Sequence, residues 1–201
     1  MSQTEPQVGD AAPKQPRADA QRNRMRVLDA AREAFASEGL SVSVESIARR
    51  AGVGVGTVYR HFPTKEALFE AIVLTSLETF VELARSLADA DDPGEALYFY
   101  LERVFEESET SMAIKDALVE TDFDAEQAAA ATFRELERAV GHLLERSQRA
   151  GATRPDVTIE ELFALLGSAC HASSALRRDT SSSLILVNVI CDGLRPAGTR
   201  R

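Results

Sequence analysis

The chain has 201 residues, of which 44% are hydrophobic and 27% are charged, and its formal net charge is −9. This length suits one domain, or a small head joined to a modest second domain, and it is too short for a multidomain enzyme. The hydrophobic fraction supports a buried core, and a content of 11 glycines and 7 prolines excludes a collagen-like protein. We therefore expect a globular protein.

The charges are distributed unevenly along the chain. Residues 14–65 carry ten basic and five acidic side chains, whereas residues 66–201 carry 13 basic and 25 acidic ones. A basic N-terminal region can bind phosphate even though the chain as a whole is acidic. No stretch approaches the 18 apolar residues of a membrane span, and Cys170 and Cys191 lie in apolar surroundings. These features predict a cytoplasmic protein with reduced thiols and no membrane segment.

The first third of the chain predicts a tail and three short helices. Residues 1–20 are polar and contain three prolines, so we expect a disordered tail there. Apolar residues then recur at helical spacing over 22–38. Ser43 can cap a second helix that ends at Gly52, and a third helix is predicted over 55–62, immediately before a proline. Three short helices in about forty residues are typical of a helix-turn-helix.

The remainder of the chain also predicts helices. Thr64 can cap a long helix that is apolar nearly all round and ends near Asp89, so it must be covered on more than one side. Further helices are predicted over 95–107, about 110–121, 124–150, 158–176 and 183–195. The β-branched run 184–190 also fits a buried strand, but no second strand exists to pair with it, so we favour a helix. The predicted fold class is all-α.

Residues 43–68, SVESIARRAGVGVGTVYRHFPTKEAL, resemble the DNA-binding motif of the tetracycline-repressor (TetR) family. The resemblance extends over about residues 21–80, which it identifies as a helix-turn-helix DNA-binding domain with the motif itself at about 43–62. It implies that residues 81–201 form a helical regulatory and dimerisation domain. It also implies a homodimer that reads a near-palindromic operator in double-stranded DNA, and a cavity for a small-molecule effector.

The motif supplies the candidate DNA contacts. Threonine, tyrosine, histidine and lysine donors suit phosphate, glycine allows close approach, and arginine and valine can read the edges of guanine and thymine. The predicted DNA-binding residues are Ser43, Val55, Gly56, Thr57, Tyr59, Arg60, His61 and Lys65. Tyr59 fits packing and phosphate binding equally well, and Arg49 and Arg50 fit a solvated helix face better than specific readout.

The C-terminal region gives less specific predictions. A central set of mostly aromatic residues is a candidate ligand pocket, although each member also fits ordinary core packing: Tyr98, Phe99, Phe105, Met112, Phe123, Phe133 and Cys170. Apolar stripes on the last two helices are wider than one core contact needs and predict a dimer interface that includes Leu162, Phe163, Leu166, Leu186, Val187 and Ile190. The adjacent pair Cys170 and His171 point about 100° apart on a helix, so we expect no metal site and no cofactor.

Together, these features predict a sequence-specific, dimeric repressor that a small hydrophobic ligand releases from its operator. A ligand-dependent activator and a repressor that requires a corepressor are alternatives within the same class. A protein-interaction adaptor whose head no longer binds DNA is an alternative of a different class. An all-α enzyme is disfavoured, because the sequence contains no HExxH motif and no glycine-rich phosphate loop after a strand.

Overall fold

The computed structural model describes the backbone of residues 15–118, 125–176 and 180–196. Side chains are described within these ranges except at 15–17, 40, 108–118, 125–129, 173–176 and 180–184. The described chain consists of helices and the turns that connect them, and no strand occurs in these ranges, which confirms the all-α prediction. In the same ranges, no helix has the length and hydrophobicity needed to cross a membrane.

The helices are α1 (Gln15–Glu38), α2 (Val44–Ala51), α3 (Val55–His61), α4 (Lys65–Ser86), α5 (Pro93–Leu118), α6 (Ala125–Arg149), α7 (Ile159–Leu176) and α8 (Thr180–Leu194). A short 3₁₀ turn over Gly39–Ser41 joins α1 to α2. The apolar run near the C-terminus lies in α8, so the helical interpretation of that run is confirmed.

The first helix begins earlier than the sequence pattern predicts. α1 starts at Gln15, so residues 15–20, which we expected to belong to a disordered tail, are helical. Pro16 lies in the first turn, where a helix needs no N–H donor, and it is therefore compatible with helix initiation. An ion pair between Asp19 and Arg22, three residues apart, lies in the next turn.

The predicted break near residue 108 does not occur. The structure has one helix, α5, where the sequence analysis predicts separate helices over 95–107 and about 110–121. The intervening segment, Glu106 to Ser111, is polar but contains no glycine or proline, so nothing in it forces the backbone out of the helical conformation. The long helix predicted to follow Thr64 is α4, which ends at Ser86, close to the predicted end near Asp89.

The buried side chains form two separate hydrophobic cores. The head core contains residues of α1, α2 and α3 and the first half of α4, including Phe35, Ile47 and Phe69. The body core contains residues of α5 to α8 and the second half of α4, including Phe80 and Leu143. We refer below to the head and the body in this sense. α4 therefore contributes to both cores.

Candidate nucleic-acid interface

The first helix of the motif, α2, has a side-chain cap at its start and a glycine at its end. The Ser43 hydroxyl accepts a hydrogen bond from the Ser46 N–H at 3.2 Å, as the sequence analysis predicts for an N-cap. At the other end, Gly52 has a φ of +63° and its N–H bonds to the carbonyls of Ala48 and Arg49. This tight end directs the chain through Val53 into α3.

α3 has one buried face and one exposed face. Val58 and Phe62, four residues apart, are buried in the head core. Gly56, Tyr59 and Arg60 lie on the exposed side. An exposed face with a glycine, a phenol and a guanidinium, on a helix fixed by its opposite face, is suited to the major groove of DNA.

The other predicted contact residues border this exposed face. Val55, Thr57 and His61 are half-buried, and Ser43 is exposed beside the start of α2. The His61 and Phe62 ring centroids lie 6.2 Å apart, so the imidazole packs partly on the head core. These DNA contacts remain predictions, and the structure places all of them on or next to the motif.

Lys65 has an internal role that sequence reasoning missed. Its ammonium donates to the Val42 carbonyl at 2.8 Å and lies 5.6 Å from the centroid of the Phe35 ring. It therefore ties the start of α4 to the chain before α2. An ammonium has three N–H donors, so this tie is compatible with the predicted phosphate contact.

Two arginines of α1 also lie at the motif, although neither is among the eight predicted DNA-binding residues. The guanidinium of Arg24 lies 5.4 Å from the Phe62 ring centroid, and Arg26 donates to the Gly52 carbonyl at 3.4 Å. The sequence signal for their position is the helical spacing of α1, which extends to the N-terminal side of residue 27 and therefore includes both arginines. They bring positive charge to the two ends of α3, which increases the attraction of the head for phosphate.

Charge at the remaining edges of the motif is mixed. Arg50 is paired with Glu38, and Arg49 donates to the Ser46 hydroxyl at 3.4 Å, in agreement with a solvated helix face for both arginines. The backbone N–H at the start of α4 lowers the pKa of Glu66, and the Thr64 hydroxyl adds to this effect. Glu66 is therefore a carboxylate at neutral pH, beside the end of the motif.

The predicted pocket residues do not form one cluster. Phe99 has 47% of its surface exposed, because the neighbouring positions 97, 98, 100 and 101 supply the buried face of α5. Phe99 therefore lies outside the body core, and its place in a ligand pocket stays a prediction. Phe133 is also exposed and packs on Phe163 with ring centroids 5.5 Å apart. The side chains of Met112 and Phe123 lie outside the described residues.

The other three pocket candidates are part of the body core. Tyr98, Phe105 and Cys170 are each at least 95% buried. The Tyr98 hydroxyl donates to the Ala152 carbonyl at 2.8 Å, and the Arg195 guanidinium lies 4.6 Å from its ring centroid. Tyr98 thus joins the start of α5 to the loop after α6. Within the described part of the chain, no three His, Cys, Asp or Glu side chains are arranged to hold a metal ion.

The predicted interface residues are largely core residues of the single chain. Leu162, Leu166 and Val187 are 0%, 4% and 2% exposed in the single chain, so they offer a partner almost no surface there, and their place in an interface stays a prediction. The remaining three, Phe163, Leu186 and Ile190, are partly buried against the same core. Both helices are apolar on two sides, and the sequence pattern did not indicate which side faces inward.

A different apolar surface is exposed on these two helices. Leu165, Ile185 and Val189 are 44%, 59% and 63% exposed. Ile185 and Val189 are four residues apart and share a face of α8, which contacts α7. The small residues Ala164, Gly167 and Ser168 are exposed on α7. We call this surface the α7–α8 face.

Comparisons with known proteins cover both halves of the chain. The family model described as bacterial regulatory proteins, tetR family, matches residues 27–72. A second model, described as transcriptional regulator SbtR-like, C-terminal domain, matches residues 92–196. The HTH-type transcriptional regulator UidR of Escherichia coli K12 is 40% identical over 82 residues, which are 40% of this chain and 39% of that protein. The chain thus matches about two fifths of the length of this curated relative.

Two crystal structures match this chain over nearly the whole length of their own chains. The TetR transcription regulatory protein from Mycobacterium vanbaalenii is 43% identical, with a TM-score of 0.72, and the match covers 90% of this chain and 99% of that one. The TetR transcriptional regulator SCO0520 from Streptomyces coelicolor is 32% identical, with a TM-score of 0.73, over 87% of this chain and 99% of that one. With its helix-turn-helix head and helical body, the chain belongs to the TetR family of bacterial transcriptional regulators.

Proposed function

We propose that the protein is a homodimeric, sequence-specific repressor that acts in the cytoplasm and binds a near-palindromic operator. The observation that carries this proposal is that α3 has a buried side and an exposed side. Val58 of α3 and Phe62, which directly follows the helix, are buried in the head core, whereas Gly56, Tyr59 and Arg60 are exposed. The first face fixes the helix on the head, and the second has the small size and hydrogen-bonding groups that base edges and phosphates require.

The α7–α8 face supports the dimer. Large exposed apolar surfaces are uncommon on monomeric proteins, and Leu165, Ile185 and Val189, on the neighbouring helices α7 and α8, are all more than two fifths exposed. The small neighbours Ala164 and Gly167 permit helices of a second copy to approach closely. Two copies related by a twofold axis present two heads, so the operator contains two half-sites about one helical turn apart, or a multiple of that distance.

The sequence of the operator tests the proposal directly. The purified protein is mixed with random duplex DNA, bound duplexes are selected, and the enriched sequence is titrated. We expect an inverted repeat with two half-sites. Enrichment of a single half-site contradicts the dimer. No enrichment above nonspecific binding contradicts DNA recognition and favours an interaction adaptor.

The body is proposed to bind a small hydrophobic effector that releases the operator. Support comes from the buried aromatic residues of α5, which are Tyr98, Tyr100 and Phe105. A ligand that binds beside them and prefers a different packing of the body changes the position of the head. The enriched duplex, labelled with a fluorophore, serves as the probe against a library of small apolar compounds. A compound that lowers DNA affinity supports a repressor, whereas one that raises it supports the activator or corepressor alternative.

A further inference from the structure

A buried serine separates the two hydrophobic cores within α4. Leu68, Phe69 and Ile72 precede Ser76 and belong to the head core, and Phe80 follows it and belongs to the body core. Ser76 itself is only 6% exposed. A buried hydroxyl needs a hydrogen-bond partner, and at this position its partner comes from a different helix.

That partner is Arg32 of α1. Its Nη2 donates to the Ser76 Oγ at 3.0 Å, and its Nη1 lies 3.7 Å from the Glu107 Oε1 on α5. α1 packs in the head core through Ala31, which directly precedes Arg32, and through Phe35, which lies about one helical turn after it. One guanidinium therefore joins α1, a helix of the head, to α4 and to α5, a helix of the body. The planar, multidonor guanidinium group is suited to holding two acceptors in a fixed arrangement.

The space beside this contact is open. A cleft of about 290 Å³ is lined by Arg32, Arg103, Glu106 and Glu107. The Arg32 and Glu107 side chains are 28% and 36% exposed, so the pair is partly hydrated. Arg103 and Glu106 pair with each other within α5 at 2.6 Å. The head and body are thus joined here by directional polar contacts beside solvent, and not by a continuous apolar core.

We propose that Arg32 is a positioning residue that fixes the orientation of the head on the body and thereby sets the operator spacing. In a dimer, the bodies hold the two heads at a fixed separation only if each head is held firmly on its own body. Loosening the Arg32 contacts leaves each α3 able to read its half-site but lets the distance between the two helices vary. This inference rests on the proposed dimeric DNA-binding function.

The test measures tolerance of spacing rather than affinity alone. The selected operator is compared with versions that have one base pair inserted or removed between the half-sites, which shifts one half-site by about 3.4 Å and rotates it by about 35°. We expect the wild-type protein to lose at least about tenfold in affinity on each altered operator, which corresponds to about 1.4 kcal/mol. We expect Arg32→Met and Ser76→Ala to lose about threefold or less, which corresponds to about 0.7 kcal/mol.

The variants are chosen to separate positioning from folding and from DNA contact. Ser76→Ala removes the acceptor with little change in volume and with a better helix former, so it keeps the fold even if Arg32→Met does not. Arg103→Met is the matched control, because it removes an arginine from the same cleft whose partner lies on the same helix. The control is expected to discriminate spacing as the wild type does.

Two results overturn the inference alone. One is wild-type discrimination in both Arg32→Met and Ser76→Ala. The other is an equal loss of affinity on all three operators with a weaker salt dependence in Arg32→Met, which identifies Arg32 as a phosphate contact. A wild-type protein that selects no DNA overturns the proposed function and, with it, this inference.

Discussion

Gly52 is the position of the motif at which backbone geometry is most demanding. Its φ of +63° is in the left-handed region, and a Cβ added there meets the Arg26 Nη2 at 2.5 Å. We expect Gly52→Ala to lower the free energy of unfolding by about 1–2 kcal/mol, chiefly because an L-residue is strained in this conformation and the arginine must also move. Urea denaturation followed by circular dichroism measures this change.

Gly56→Ala is the matched control for Gly52→Ala. Gly56 is inside α3, and an added Cβ there has no neighbour within 4 Å. Because alanine is the better helix former, this variant is expected to gain up to about 1 kcal/mol in stability while the new methyl group weakens DNA binding. Equal stability of the Gly52→Ala variant and the wild type contradicts the role given to the left-handed conformation.

Tyr59 tests the exposed face of α3 one hydroxyl at a time. Its side chain is 45% exposed, so Tyr59→Phe leaves the melting temperature unchanged. A hydrogen bond to a charged phosphate contributes about 1.5 kcal/mol or more, so its loss from both heads of the dimer is expected to weaken operator binding about a hundredfold. Fluorescence anisotropy at one fixed salt concentration measures the change. An unchanged dissociation constant assigns Tyr59 to packing instead.

At the scale of the helices, the positions of the motif helices could be predicted from the sequence, whereas the buried and exposed faces of the C-terminal helices could not. Gly39, Gly52 and Pro63 end or follow helices of the head, so the sequence located α2 and α3 within a residue or two. In α8, Ile185, Val187 and Val189 are all apolar, yet the first and third are exposed and the second is buried. Only the packing of α8 on α5 and α7 determines which of them face inward.

The α7–α8 face makes a prediction about assembly. Val189→Arg introduces a charge into the proposed interface, and we expect it to convert the dimer to a monomer while the chain stays folded, since Val189 is 63% exposed in the single chain. Sedimentation velocity measures the oligomeric state. Operator affinity should fall by at least about a hundredfold, because one bound head no longer raises the effective concentration of the second.

Glu78→Arg provides the control for this interface variant. Glu78 is an exposed residue of α4, away from α7 and α8 in sequence, and the substitution introduces the same side chain. It is expected to remain a dimer. A dimeric Val189→Arg variant means that the two copies associate through another surface.

For the molecule as a whole, the separation of charge determines how binding depends on salt. The region that contains the motif has an excess of basic residues, and the body is acidic, so attraction to DNA is confined to the head. Lys65→Met in both subunits is expected to flatten the slope of log affinity against log salt by about two units, one for each head. Titrations of the operator at four or five salt concentrations measure the slope.

The size of the change in slope shows whether Lys65 contacts a phosphate and how many subunits of the complex make that contact. A change of about one unit indicates that one Lys65 per complex meets a phosphate, and no change removes Lys65 from the interface. Arg149→Met, at the exposed end of α6, is the control and should leave the slope unaltered. The melting temperature of Lys65→Met is measured in parallel, because this lysine also binds the Val42 carbonyl.

The division into a DNA-reading motif and a helical body was accessible from sequence, because the glycines, prolines and capping residues of the motif act locally. Three contacts were not accessible from the sequence: the hydrogen bond of Lys65 within the head, the position of Arg26 at Gly52, and the hydrogen bond from Arg32 to Ser76. The last two each join residues more than 25 positions apart, and no local pattern encodes such a pair. Their detection required the arrangement of α1 against the rest of the chain.

The continuity of α4 through both cores makes it a lever arm. Its 22 residues span about 33 Å at the usual rise of a helix. A tilt of only about 6° at the body end therefore displaces the other end, which leads directly into α3, by about 3 Å, roughly the distance between successive base pairs. Angular changes too small to disturb the packing of the body are large enough to misalign the head with the bases of its half-site.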